Sequence, residues 1–448
     1  MTFAKRRQAR LARLVDFARE RSPYYRNLYA ALPAGAVNLE ALPPVAKGGL
    51  MANFETWTTD PAVTRESAES FVADATSIGR LYLCRYVAFA TSGTTGQPAV
   101  FLHDRDALRV YLSLAATRRL PSLIAAGSLW TFLGNRARTA TIITTGGHFT
   151  SSVIEALVRS RFPRLSGRNR VFSLMAPLND LVRELNEFRP AILGSYPTAL
   201  LVLAEEQEAG RLRIRPALAL SGAELLSPAA AHRIAAAFRC PVRDTYAASE
   251  FPGIAFDCGH GRLHVNADWL ILEPVDARFC PVPAGEPSHT TLLTNLANRV
   301  QPLIRYDLGD SVTALPDPCT CGSRLPSIRP EGRRDETLYL ESPDGIATPV
   351  LPLVMATVVE ETPGLRSYQV IQTGPRRPRL RLDEAPGRDR RPLCEEVLRR
   401  LRDYLSAQGL STVAVELSPV RPVRNPAGGK LRQFFVDRED RNDRPPLS

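Results

Sequence analysis

Lysine is nearly missing from this chain: of its 57 basic residues only Lys5, Lys47 and Lys430 are lysines, and the rest are arginine. Long apolar runs are missing as well. No stretch approaches the roughly 18 residues that span a bilayer as a helix, so no membrane partner is expected. Behind Met1-Thr-Phe-Ala-Lys-Arg-Arg7 there is no apolar segment, and Asp16 and Glu20 interrupt early, so neither a secretory signal nor a transit peptide fits. Seven cysteines in 448 residues make no disulfide framework, and a reduced, cytoplasmic setting is expected. No G-x-x-x-x-G-K-[ST] occurs, which excludes a Walker A phosphate loop.

A hydrophobic content of 44% supports a large core, and the length suits two or three domains. The formal charge of +11 is dispersed along the chain instead of forming one stripe, which argues against nucleic acid. A basic surface also suits phosphate-rich cofactors and acidic partner proteins.

The most distinctive stretch is Thr91-Ser-Gly-Thr-Thr-Gly-Gln-Pro98, set between two strand-like runs, Tyr86–Ala90 and Ala99–Leu102. Small hydroxyl residues and glycines let such a loop wrap an anion with backbone N–H groups. A simple Ser/Thr/Gly-rich hairpin turn reads equally well from the loop alone.

Before it, residues 4–30 read as one helix with Leu11, Leu14, Val15 and Ala18 on one face, followed by a Pro-bearing connection in which Lys47 reads as a solvated loop residue. From 128 to 250, strand-like runs at 129–133, 171–174, 191–195 and 217–220 alternate with helical patterns such as Leu181, Val182, Leu185 and Phe188. That alternation predicts a mostly parallel sheet covered by helices, whose ligands bind beyond the carboxyl ends of the strands. Polar clusters end two of those strands, Ser221-Gly-Ala-Glu224 and Asp244-Thr-Tyr-Ala-Ala-Ser-Glu250. Residues 262–315 read as a β meander. A charged stretch near 332–336 marks a boundary, and an amphipathic helix (Leu393, Val397, Leu398, Leu401, Leu405) lies in the remainder. The fold class is α/β: a large N-terminal domain over 1–332 and a small α+β domain over 333–448.

Cys258 and His264, followed by Cys319-Thr-Cys321 in a Pro-flanked loop, offer thiolate and imidazole ligands that suit a structural Zn²⁺; four unrelated reduced side chains remain the alternative. His260 or Cys280 could substitute for one ligand. Cys84, Cys240 and Cys394 sit in apolar patterns and read as core.

Five segments occur in the order seen in adenylate-forming ligases: the 91–98 loop, Thr245-Tyr-Ala-Ala-Ser-Glu250, Ile304-Arg-Tyr-Asp-Leu-Gly-Asp310, Gly332-Arg-Arg-Asp335 and Asn425-Pro-Ala-Gly-Gly-Lys430. With Tyr24-Tyr-Arg-Asn-Leu-Tyr29 and Leu42-Pro-Pro-Val-Ala-Lys47, the chain most resembles the phenylacetate–CoA ligase branch, over roughly residues 10 to 435. The resemblance implies that Thr91, Ser92, Gly93, Thr94, Thr95 and Gly96 hold the outer phosphates of ATP. It implies that Ser221, Gly222, Ala223, Glu224, Asp244, Thr245 and Tyr246 border the adenine, with Tyr246 stacking on it. Glu250 would ligate Mg²⁺, Asp310 would hold the ribose hydroxyls with Arg333 nearby, and Lys430 would reach the α-phosphate and the substrate carboxylate. The resemblance also implies that the small domain is mobile. The acyl pocket would lie around Gly134, Asn135, Gly146, Gly147, His148, Tyr196 and Pro197. Read without the resemblance, Glu250 is also compatible with a capping box, Asp310 with a turn and Tyr246 with core packing. Lys430 resists such a reading, because it sits in a Gly-Gly-Lys loop of a chain nearly without lysine, and the carboxylate attack on a phosphate that the resemblance implies needs a mobile point cation.

Two departures matter. Alanine follows Tyr246 where the pattern commonly has glycine, and Leu338-Tyr-Leu-Glu-Ser-Pro-Asp-Gly345 stands where a glycine-containing strand would line a pantetheine tunnel. The expected function is ATP- and Mg²⁺-dependent activation of a carboxylic acid, aromatic by resemblance, through an acyl-adenylate, with CoA as acceptor. An acidic acyl carrier protein or an amine are the alternative acceptors, and a non-catalytic nucleotide-binding relic is the reading from another class. A homodimer is compatible with all of these.

Overall fold

The computed structural model describes residues 3–33, 38–91, 99–125, 129–143, 148–161, 167–174, 176–333, 336–350, 352–360, 362–424 and 431–437. The opening helix, Phe3–Arg21, buries Leu11, Leu14, Val15 and Ala18 as their spacing predicts. It does not run on to residue 30. Pro23 cannot donate a helical hydrogen bond, and the Ser22 hydroxyl caps a second helix, Pro23–Leu28, by accepting from the Tyr25 amide.

The sheet that organises the larger part of the molecule has nine strands, joined by four parallel and four antiparallel pairings. The parallel half runs in the order Asn169–Ser173, Thr139–Ile143, Ile192–Ser195, Leu218–Gly222 and Val242–Ala248. Helices Leu178–Phe188, Pro197–Glu208 and Pro228–Phe238 bury their apolar stripes against it. At Val242–Ala248 the sheet changes character. The chain reverses in a tight hairpin at Ser249-Glu250, and Phe251–Asp257, Leu263–Val265, Ser327–Arg333 and Asp310–Leu315 continue it antiparallel. The meander is thus divided: Leu270–Val275, Thr290–Asn295 and Tyr306–Asp307 form a separate three-stranded sheet.

One expected strand is not a strand. Residues 129–133 lie in a short helix, Leu129–Gly134, with Trp130 81% exposed. A short apolar run has no periodicity that separates helix from strand. The β-branched run Thr139–Ile143 takes the place in the sheet, with Ala140, Ile142 and Ile143 buried.

Residues from Leu338 to Phe434 enclose a core of their own. It is built on a four-stranded sheet ordered Glu416–Leu417, Pro378–Glu384, Leu365–Gln372 and Phe434–Val436. The helix Arg390–Ala407 buries Leu393, Val397, Leu401 and Leu405 on it as expected, and Asp389 caps its start by accepting from the Arg391 amide at 3.0 Å. Leu225 of the larger part packs against this second core. Arg366 reaches Glu205 at 3.2 Å, and Ser227 donates to Glu360 across the same seam. Among the described residues no helix is long and apolar enough to cross a membrane.

Candidate active site

The carboxyl ends of Leu218–Gly222 and Val242–Ala248, the Ser249-Glu250 turn and the Val87–Ala90/Val100–His103 hairpin converge on one region. The hairpin is the one the sequence predicts. Thr91 closes it, its amide donating to Ala99 O at 2.9 Å and its hydroxyl accepting from the Ala99 amide at 3.0 Å. Ser92, Gly93, Thr94, Thr95 and Gly96 lie outside the described residues. Thr91 is met from an unexpected side: Lys47 Nζ donates to Thr91 Oγ1 at 3.0 Å. Lys47 is therefore not a solvated loop residue. It starts the helix Lys47–Ala52, and Val45 just before it pairs with Tyr306 through amides to Arg305 O and from Asp307.

Glu250 is 8% exposed and accepts from the Tyr306 hydroxyl at 2.8 Å. Burial raises its pKa; the Tyr306 hydroxyl and the charges of Lys47 and Arg333 oppose the shift. A carboxylate pushed toward protonation by burial fits a divalent cation, whose charge would restore the ionised form. Its backbone is held as firmly: Asn295 Nδ2 donates to Glu250 O at 3.0 Å and His103 Nε2 to Ser249 O at 2.9 Å. Burial draws His103 down to about 4, so the ring is neutral and Nδ1 is left to accept from Tyr111.

Next to this pair runs a second chain of contacts. Tyr246 Oη donates to Asp310 Oδ2 at 2.6 Å, and Arg333 reaches Asp310 Oδ1 at 3.3 Å. Asp310 and Arg333 are cross-strand partners at the ends of their strands, so opposite charges meet by register. Burial, and then the Asp310 carboxylate, hold the Tyr246 phenol far above its usual value, which keeps it a donor.

Ser221 pairs with Asp244 in register and Gly222 with Thr245. A Cβ on Gly222 would stand 3.2 Å from Thr245 O, and Ala223 adopts φ +66°, a strained left-handed turn of the kind found where backbone must face a ligand. Among the described residues Ser221 Oγ and Asp244 Oδ1 are buried without a well-formed hydrogen bond, and the Ser221 hydroxyl stands close enough to Asp244 to favour its ionised form. Two under-satisfied polar atoms at strand ends fit a polar ligand edge. Glu224 is turned elsewhere: it accepts from Thr198 Oγ1 at 2.7 Å and from the Leu431 amide at 3.2 Å. It ties the larger part to the segment that follows Lys430, which itself lies outside the described residues.

Asp244 carries a pH signature. Burial pushes its carboxyl from 3.8 up to about 7, against the opposing Thr245 amide and Ser221 hydroxyl and with Asp257 adding to the shift. A raised acid favours the folded state when protonated, so its contribution is full below the unfolded value and lost as pH rises through 7. Asp244→Asn is expected to melt progressively higher than the parent protein as pH goes from 5 to 8, by up to a few kcal/mol at about 1.4 kcal/mol per unit. Calorimetry at both pH values checks this; a gap independent of pH contradicts it.

The residues expected around the acyl pocket are not brought together. Tyr196 and Pro197 follow Ile192–Ser195 at the carboxyl edge, where Tyr196 packs with Ile143 and Ala199. His148 also lies at that edge but is packed inward, its Nε2 on Ser77 Oγ at 2.9 Å and its ring beside Phe71. Gly147, like Gly146, is outside the described residues. Gly134 and Asn135 precede Thr139–Ile143 and so stand at the opposite, amino edge of the sheet, where Asn135 Nδ2 donates to Arg215 O at 2.8 Å.

The cysteine and histidine ligands do converge. The ligand atoms of Cys258, His264, Cys319 and Cys321 all lie within 4.8 Å of one another. Cys258 and Cys319 sulfurs are 3.7 Å apart, and Cys321 Sγ is 3.2 Å from His264 Nε2. Sulfurs at about 2.3 Å from a shared tetrahedral centre stand about 3.8 Å apart, so the donor set fits Zn²⁺. His264 Nδ1 donates to Leu325 O at 2.9 Å, which leaves Nε2 as the ligating atom. His260 is exposed and bonded to Thr320, and Cys280 and Cys84 are exposed, the latter against the expectation of a core residue. The cluster clamps the loop after Phe251–Asp257 to the loop before Ser327–Arg333, the strand that ends at Arg333. Metal analysis is expected to find about one zinc per chain. Cys321→Ser should lower the melting temperature by about 5 °C or more, given ~2–4 °C per kcal/mol for a domain of this size. Absence of zinc together with an unchanged melting temperature contradicts the assignment.

No protein-family model matches the chain. It is similar to the phenylacetate–coenzyme A ligase of Thermus thermophilus, 26% identical over 460 residues that cover 96% of this chain and 95% of that protein. In structure it is similar to 2-hydroxyisobutyryl-CoA ligase in the postadenylation state, with a TM-score of 0.68 at 19% identity over 97% of this chain and 89% of the other. The chain has the adenylate-forming ligase fold. The same enzyme in its thioesterification state superposes less well, with a TM-score of 0.53 at 21% identity over 97% and 90%. An anthranilate CoA ligase bound to anthranoyl-AMP matches 78% of the chain and 65% of its own length, with a TM-score of 0.52 at 18% identity.

Proposed function

We propose that this protein is an ATP- and Mg²⁺-dependent carboxylic acid ligase that forms an acyl-adenylate and pyrophosphate, then transfers the acyl group to CoA. One observation carries the reading. Lys47–Thr91, Glu250–Tyr306 and Tyr246–Asp310–Arg333 meet at the carboxyl edge of the sheet, although they come from segments up to nearly 300 residues apart in the chain. The full-length likeness to phenylacetate–coenzyme A ligase supports it.

In this reading the 91–96 loop wraps the outer phosphates, with Lys47 adding a cation at its first residue. Asp310, oriented by Tyr246 and Arg333, accepts from the ribose hydroxyls. Ser221 and Asp244 offer polar atoms at the strand ends to the base edge. Mg²⁺, held by Glu250, would neutralise phosphate charge. Attack by the acid brings two anions together, and Lys430 supplies the positive charge that offsets this in the transition state. Residues 1–332 form the adenylation domain and 333–448 the small domain that brings Lys430. The Leu431–Glu224 contact and the better superposition on the postadenylation state both support an orientation suited to the first half-reaction.

The acid is aromatic in this reading. The named substrate of the Thermus relative supports it. The formal charge of +11 favours an acidic carrier protein as the second acceptor to try. Purified protein with ATP, Mg²⁺, phenylacetate or benzoate, and either CoA or carrier protein is expected to give AMP and the CoA thioester by mass spectrometry. Thioester only on the carrier protein moves the acceptor; hydroxamate trapping with no adenylate from any acid overturns the reading.

A further inference from the structure

Away from the site just described, the first helix, Arg118, Asp268 and the loop residues Ser323 and Leu325 wall a cavity of about 310 Å³. Four guanidinium groups line it, from Arg6, Arg7 and Arg10 on one face of Phe3–Arg21 and from Arg118 on the helix Arg105–Ala125, against a single carboxylate, Asp268. Two of the four are built into place. Arg10 stacks on the Trp269 ring at 3.5 Å and donates to Asp268 O, while Arg118 donates to Asn266 Oδ1 at 3.2 Å and pairs with Asp268 at 3.4 Å. Among the described residues no hydrogen bond or ion pair engages Arg6 or Arg7. Like charges gathered in one concavity repel unless an anion joins them, and the neighbouring guanidinium of Arg6 is among the causes that lower the Arg10 pKa after burial.

We propose that this cavity is a second anion site, distinct from the adenylation site, which takes a multiply charged phosphate group. Guanidinium forks match phosphate oxygens in pairs, and a surplus of three positive charges over Asp268 suits a diphosphate or bisphosphate better than a monoanion. The volume is at the small end of ligand pockets, so it holds the phosphorylated end of a molecule. That end could belong to free pyrophosphate or to a nucleotide carrying phosphates on its ribose. The far wall is Ser323 and Leu325, and Leu325 is the residue whose carbonyl holds His264.

Isothermal titration of the full chain, with AMP and phenylacetate saturating to block the adenylation site, tests this with pyrophosphate and with adenosine 3′,5′-bisphosphate as separate probes. At least one probe is expected to bind, more weakly as salt rises. The double variant Arg6→Gln/Arg7→Gln should weaken that binding at least about tenfold while leaving the melting temperature and acid-dependent ATP–pyrophosphate exchange unchanged. Binding of pyrophosphate alone assigns the site to a free diphosphate, and binding of the bisphosphate alone or more tightly assigns it to a nucleotide. No binding of either probe, or binding equal in the double variant, overturns the proposal.

Discussion

Lys430→Ala is expected to cut acyl-adenylate formation by about 10²–10³-fold, the loss of ~3–4 kcal/mol typical of removing one preorganised donor from a developing charge. The same variant should still make thioester from acyl-adenylate supplied ready-made. The asymmetry follows from where the lysine sits in the chain. It precedes Leu431, whose amide donates to Glu224 of the larger part. In the proposed reaction the small domain turns away for thioester formation and takes the ammonium with it. The chain has only three lysines, and a planar guanidinium is no substitute for a compact point charge. Stopped reactions with each half-substrate measure the two steps separately, and equal loss of both contradicts the assignment.

The second large effect is expected at Glu250. Glu250→Gln keeps an oxygen for the Tyr306 hydroxyl but removes the negative charge. Because burial already raises the pKa of this carboxyl, the neutral isostere relieves a penalty and the melting temperature should hold or rise at pH 8. Adenylation should nonetheless fall by about 10²-fold or more and demand more Mg²⁺. A residue that merely caps the hairpin turn gives the reverse pattern, lower stability with activity retained. Activity against Mg²⁺ concentration, paired with a thermal melt, distinguishes the two.

Much of this architecture is legible in the residues, and the parts that are not have identifiable causes. The hairpin around Thr91 and the helices at 178–188 and 390–407 are local patterns, and local patterns survive folding. Cys258, His264, Cys319 and Cys321 carry chemistry specific enough to be recognised across the 54 residues between His264 and Cys319. Lys47 is misread because its role depends on Val45 pairing with Tyr306, a contact spanning most of the chain that no local pattern encodes. Its rarity was the available signal. Gly134 and Asn135 are expected at the pocket by resemblance, not from any strand end. The strand is Thr139–Ile143 and not 129–133, so its carboxyl end comes after Ile143 and Gly134-Asn135 stand at the amino edge of the parallel sheet, away from where ligands bind. The division of the meander between two sheets is likewise non-local, set by Leu263–Val265 finding Ser327–Arg333 as its partner.

Acid-dependent exchange of labelled pyrophosphate into ATP reads the proposed first half-reaction without needing the thiol acceptor. Purified protein with Mg²⁺ and an aromatic acid such as phenylacetate or benzoate is expected to exchange label, and to lose that exchange in Asp310→Ala, whose parent carboxylate is held between Tyr246 and Arg333. Exchange that ignores the acid, or no exchange with any carboxylic acid while ATP still binds, contradicts an adenylate formed at this edge of the sheet.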